Sequence, residues 1–197
     1  MQRVFRQILL GMAGCAVASS PAMGGSLSPC ATARLIASWK HDGLWLTSAV
    51  FAPPTSVDGH DARYVGEVHA AGRAYRIYFE QVTEPGSEAH DAAHNLVVTT
   101  GGGRFLGLYN ISEISDISEP MTTKGSDVLF HPRKDGNGKP YRDRIHFGSM
   151  GPPGTVHLLF GYDVTFQTPA EWARDPPQTR QRSEPSDPVV TYCHRRR

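Results

Sequence analysis

Residues 64–80 read YVGEVHAAGRAYRIYFE, two runs of alternating apolar side chains on either side of Ala71-Gly72. A period of two with small residues at the centre is the pattern of a β-hairpin, not of a helix. Its register can be tested, because the apolar residues of both strands must share a face. With the turn centred between Ala71 and Gly72, Val68 meets Tyr75, Gly66 meets Ile77 and Tyr64 meets Phe79 on one side. Glu67 then opposes Arg76, and Arg63 opposes Glu80, on the other. A matched apolar face and two opposed charge pairs in one register specify an antiparallel pair.

The same punctuation continues outward. Short alternating runs occupy 33–40, 44–51, 63–70, 74–82, 96–100, 104–111, 127–131, 142–148 and 155–166, separated by Gly, Pro and Asp. Strands at this spacing predict an all-β fold, an antiparallel β-sandwich or barrel built from consecutive hairpins with at most one or two short helices. NLVVTTGGGRFLGLYNI, residues 95–111, is apolar on both faces, which predicts central strands covered on both sides. Its three glycines read as a tight turn, since no Gly-Lys-Ser/Thr follows.

Length and composition set the frame. A chain of 197 residues that is 39% hydrophobic can bury one core. Residues 1–24 carry Arg3 and Arg6, an apolar run from Ile8 to about Ala18 and the small-residue stretch Ala22-Met23-Gly24, the signature of a signal peptide. That run is shorter than the roughly 20 apolar residues a membrane span needs, so no transmembrane segment is expected after its removal. Met12-Ala13-Gly14-Cys15 offers a competing route, a lipid anchor on Cys15. Either route leaves Cys30 and Cys193, and an even pair in an exported chain predicts a disulfide. The expected location is periplasmic or secreted.

The expected organisation is a signal peptide over 1–24, the β domain over 25–168, a Pro/Arg-rich surface segment over 169–188, and a C-terminal strand over 189–197 tied by the disulfide and ending in a frayed tail. The formal net charge is +1. No basic stripe with interleaved aromatics occurs, which argues against nucleic acid as a partner.

Nine histidines make a metal site the first chemistry to look for. In RIHFGSMGPPGTVHLLF, residues 144–160, a turn centred between Gly151 and Pro152 pairs Ile145 with Leu158 and Phe147 with Val156. His146 and His157 then lie directly opposite each other, roughly 4.5–5.5 Å apart at Cβ. Pairing Phe130 with Ile145 adds His131 on the same face, roughly 7–8 Å away on the diagonal. Three histidines on neighbouring strands match the open ligand set of a catalytic zinc; a solvent-facing or interface surface dotted with His, Arg144 and Asp127 is the simpler account.

SEAHDAAHN, residues 87–95, reads as a short helix with His90 and His94 on one face, a second zinc candidate that lacks the glutamate of a metalloprotease helix. KDGNGKPYRD, residues 134–143, reads as a turn, because Lys139 takes a would-be calcium-ligand position. Gly148-Ser149-Met150-Gly151 lacks the spacing of a serine nucleophile. Trp39 and Trp45, flanking His41-Asp42-Gly43, are candidates for a binding platform, with core packing as the alternative. These observations favour a binding or inhibitor-type module for a protein partner or envelope ligand, with no catalytic residue assigned. A metal-dependent enzyme is the competing class.

Overall fold

The computed structural model describes residues 27–42, 60–82, 92–112, 121–159, 161–174 and 193. Residues 1–24, read as a signal peptide and including Cys15, lie outside these residues, as do the 44–51 run, Trp45 and His90. The fold is mostly β, with antiparallel sheets made from consecutive hairpins, as the alternation predicts.

The first sheet has six strands: β1 (His60–Ala70), β2 (Arg73–Val82), β3 (Ala93–Thr100), β4 (Phe105–Asn110), β10 (Thr155–His157) and β11 (Asp163–Gln167), in the order β1-β2-β3-β4-β11-β10. The second has three, β5 (Thr122–Lys124), β6 (Asp127–Leu129) and β9 (Arg144–His146), and a two-stranded hairpin joins β7 (Arg133–Lys134) to β8 (Pro140–Tyr141). One face of the six-stranded sheet packs Val68, Ile77, Leu96, Val98 and Tyr109 against Val128, Ile145 and Phe147 of the smaller sheet and its flanks. The other face is covered by a helix, α1 (Pro29–His41), whose Ala33, Ile36 and Trp39 meet Tyr78, Val97 and Leu108. Strands β3 and β4 are therefore buried on both sides, in line with the apolar run of 95–111.

In the β1–β2 hairpin Val68 pairs with Tyr75, Glu67 with Arg76 and Gly66 with Ile77. Beyond Gly66 the register departs from expectation: a bulge at Val65 puts Tyr64 opposite Tyr78 and Arg63 opposite Phe79, so the Arg63–Glu80 and Tyr64–Phe79 pairs do not form. The cause is tertiary. Gly66 has φ 154°, and a Cβ there would collide with the Thr123 side chain of β5, so the backbone must kink where the two sheets meet. The extra residue leaves Glu80 buried on the helix-facing side, where it accepts a hydrogen bond of 3.1 Å from the Asn95 amide.

The stretch 33–40, read as a strand, is helical. Ala33, Ile36 and Trp39 recur every three residues and all point inward, a stripe that a strand could not place on one face. Ser28 caps the start, its hydroxyl accepting from the Ala31 amide at 3.3 Å, and Pro29 occupies the first helical position. A second short helix, α2 (Pro169–Arg174), begins the stretch read as an irregular surface segment. It is set by a capping box: the Thr168 amide donates to Glu171 Oε2 at 2.8 Å, and the Glu171 amide donates to the Thr168 hydroxyl at 3.4 Å.

Cys30 and Cys193 are joined in a disulfide with Cα atoms 4.9 Å apart. Cys193, the described residue of the segment read as a terminal strand, has helical backbone geometry.

Candidate functional site

The connection between β9 and β10 decides where the histidines go. A ladder between these strands begins at Gly148 and Gly151, which exchange two backbone hydrogen bonds of 3.1 Å. It stops there. The next hydrogen-bonded rung in that register would need an N–H from Pro153, which has none, and the Pro153 carbonyl is taken by the Tyr109 hydroxyl at 2.7 Å. Tyr109 is fully buried, and desolvation pushes its phenol well above the ordinary range, so it stays a neutral donor.

Denied a shared ladder, the two strands pair elsewhere. Strand β9 pairs with β6, setting His146 opposite Asp127, and β10 pairs with β11, setting His157 opposite Asp163. The expected hairpin with His146 facing His157 is thereby corrected: the two histidines sit on the edge strands of different sheets. His131 shares the outward side of its ribbon with His146. However, Val128 rather than Phe130 pairs with Ile145, a slip of two residues that keeps the face but moves His131 four residues along from the position opposite His146. At about 3.3 Å per residue that is roughly 13 Å, too far for a shared ion.

His146 and His157 instead each have a carboxylate of their own. His146 Nδ1 donates to Asp127 Oδ1 at 2.7 Å, and His157 Nδ1 donates to Asp163 Oδ1 at 2.7 Å. This leaves each Nε2 directed outward, the orientation that a carboxylate partner gives to a metal-binding or proton-accepting imidazole. Ser126 Oγ lies 3.4 Å from His146 Nδ1, on the same nitrogen as Asp127, so these three residues do not form a nucleophilic triad. Among the described residues no group of three or more His, Cys, Asp or Glu side chains is placed to hold a metal.

His94 belongs to β3 and not to a helix. Its ring stacks on Phe79 with centroids 5.6 Å apart, and its Nδ1 is buried without a hydrogen-bond partner among the described residues. Desolvation lowers its pKa below the ordinary value of 6.5. The unfolded chain therefore takes up this proton first as pH falls, and the stability present above about pH 6.5 is lost progressively below it. His94→Gln is expected to flatten that part of the pH dependence; urea midpoints of both proteins at about pH 7.5 and about pH 5.5 measure it.

Trp39 is 0% exposed, packed edge-on against Tyr78 at 5.2 Å, so it forms core rather than a binding platform. Exposed apolar groups occur elsewhere. Leu159 and Tyr162, in the turn between β10 and β11, are 69% and 43% exposed. That turn is held in place: the Leu158 amide donates to the Tyr162 carbonyl at 2.9 Å, and the Leu159 amide donates to Asp143 Oδ1 at 2.7 Å.

Asp143 also marks the base of a projecting ribbon. The β6–β9 pairing extends through Phe130 N–H to the Asp143 carbonyl and ends there; the separate β7–β8 hairpin follows, and residues 134–140 are all exposed. Asp135 closes the tip, its Oδ1 accepting from the amides of Asn137 and Lys139 at 2.9 and 2.8 Å, so the turn read across 134–143 is confined to 135–139, between β7 and β8. Sequence reading missed this arrangement; the signal available for it was Gly161 and Asp163 interrupting the 155–166 run.

Comparison with protein-family models, curated proteins and solved structures finds no match to this chain.

Proposed function

We propose that this is an exported binding module of the inhibitor type, which engages a protein partner through Leu159 and Tyr162, between β10 and β11, and the adjoining ribbon. The observation that carries the reading is the hydrogen bond from the Leu159 amide to Asp143 at the ribbon's base. It fixes an apolar turn, exposed at Leu159 and Tyr162, beside a projecting arm. Exposed apolar side chains on a pinned backbone lose little entropy on binding, the condition for an anchor residue at an interface. The β frame behind them, cored on both faces of the large sheet, supplies rigidity.

Affinity capture from the native envelope fraction tests this. Wild-type protein is expected to retain a discrete partner, and Leu159→Asp is expected to reduce that retention at least tenfold with an unchanged melting temperature. Equal retention by both proteins would remove the turn from the interface.

A second reading, metal-assisted chemistry at a histidine, is favoured by the carboxylate-held imidazoles of His146 and His157. Calorimetric titration with zinc separates the two: stoichiometric binding lost in His146→Ala supports the metal reading.

A further inference from the structure

Cationic side chains are concentrated on the ribbon. Residues 121–146 carry six Lys and Arg against three Asp, while the rest of the chain carries 14 against 16 acidic residues. The folded arrangement sharpens this imbalance. Asp143 is buried and holds the Leu159 amide, and Asp135 closes the tip turn. Asp127 lies beside His146 and, at 3.9 Å, Arg144, with Lys124 opposite it on β5. The three acids are thus engaged locally, while Lys134, Lys139 and Arg142 stand exposed along the arm.

Resting on the proposed binding role, we infer that the ribbon docks an acidic protein surface, with Lys134, Lys139 and Arg142 supplying the complementary charge and Leu159 and Tyr162 an adjacent apolar contact. Cations on a narrow projecting ribbon favour a partner that presents carboxylates in a cleft or groove, where desolvation strengthens each pair. The apolar turn at the arm's base distinguishes this partner from a uniformly polar polyanion. Of the aromatics on the arm, Phe130 is buried at its base and Tyr141 is half-buried, so the arm has no exposed row of rings on which nucleobases would stack.

The probes are poly-L-glutamate, a Glu/Leu copolymer of equal charge, heparin and a DNA duplex, each titrated against the full protein at low and high salt. Both acidic polypeptides are expected to bind at low salt, the copolymer more tightly, with affinity falling as salt rises. Changing Lys134, Lys139 and Arg142 together to Glu is expected to weaken both by at least about tenfold. Leu159→Asp should abolish only the copolymer's advantage, so failure of the apolar turn and failure of the charged arm give different results. A melting temperature equal to wild type shows that the triple variant is folded; if it is not, the corresponding Gln variants replace it. No binding of either polypeptide, or binding unchanged in the arm variant, would overturn the inference. Binding of heparin or DNA without binding of the acidic polypeptides would overturn the choice of a protein partner.

Discussion

Removal of the Cys30–Cys193 disulfide is expected to lower unfolding stability by about 2–5 kcal/mol. The bridge spans 163 residues, so in the chain-entropy account it restricts nearly all of the unfolded ensemble. It also tethers Cys193 to α1, the helix that covers one face of the six-stranded sheet. Urea unfolding of the oxidised protein, the reduced protein and the Cys30→Ser/Cys193→Ser double variant measures the loss. Reduced and double-variant proteins should agree, and a loss below about 1 kcal/mol would mean that the link adds little constraint.

Trp39→Ala is expected to cost about 3–5 kcal/mol, the range for deleting a large buried aromatic. The side chain is fully enclosed by α1 and the sheet, against Tyr78, so its loss leaves a cavity that rigid strands cannot close. Its indole Nε1 is buried without a hydrogen-bond partner among the described residues, a cost to folding that Trp39→Phe would remove. Trp39→Phe is therefore expected to retain most of the stability lost in Trp39→Ala, with chemical denaturation as the measurement. If Trp39→Ala instead left stability unchanged and weakened partner binding, the tryptophan would have to be on the surface.

Local patterning carried the reading where the partner strand was next in sequence. The β1–β2 register follows from apolar alternation up to Gly66 and fails at Val65, because the bulge answers to Thr123, more than fifty residues further on. The double burial of β3 and β4 was legible because an apolar run on both faces needs two covers, although that one cover is a helix was not. Helix α1 was misread because small and apolar residues in 33–40 fit both periods; Ser28-Pro29 ahead of it was the available discriminator.

At the histidines, local pattern and tertiary pairing disagree most. Apolar matching in 144–160 favours a hairpin, but the competition that decides the pairing is fought elsewhere. Strand β6 takes Ile145, β11 takes Val156, and Tyr109 takes the Pro153 carbonyl. None of these partners is visible in the stretch itself. The side chains that set the histidines' environment, Asp127 and Asp163, lie within runs read as strands, where the sequence gives them no partner.

Amide hydrogen exchange across 143–158 tests the separation of β9 from β10 most directly. The Phe147 amide and the Asp143 carbonyl bond to the β6 side, and the Leu158 amide and the Gly154 carbonyl bond to the β11 side. By the alternation of an antiparallel ladder, the amides of Ile145 and Val156 point the same way as these, whereas those of Arg144, His146, Thr155 and His157 face outward from edge strands. The expected result is slow exchange at Ile145, Phe147, Val156 and Leu158 and fast exchange at Arg144, His146, Thr155 and His157. Slow exchange at both His146 and His157 would mean a closed β9–β10 ladder, and would restore the facing histidines that the separate sheets exclude.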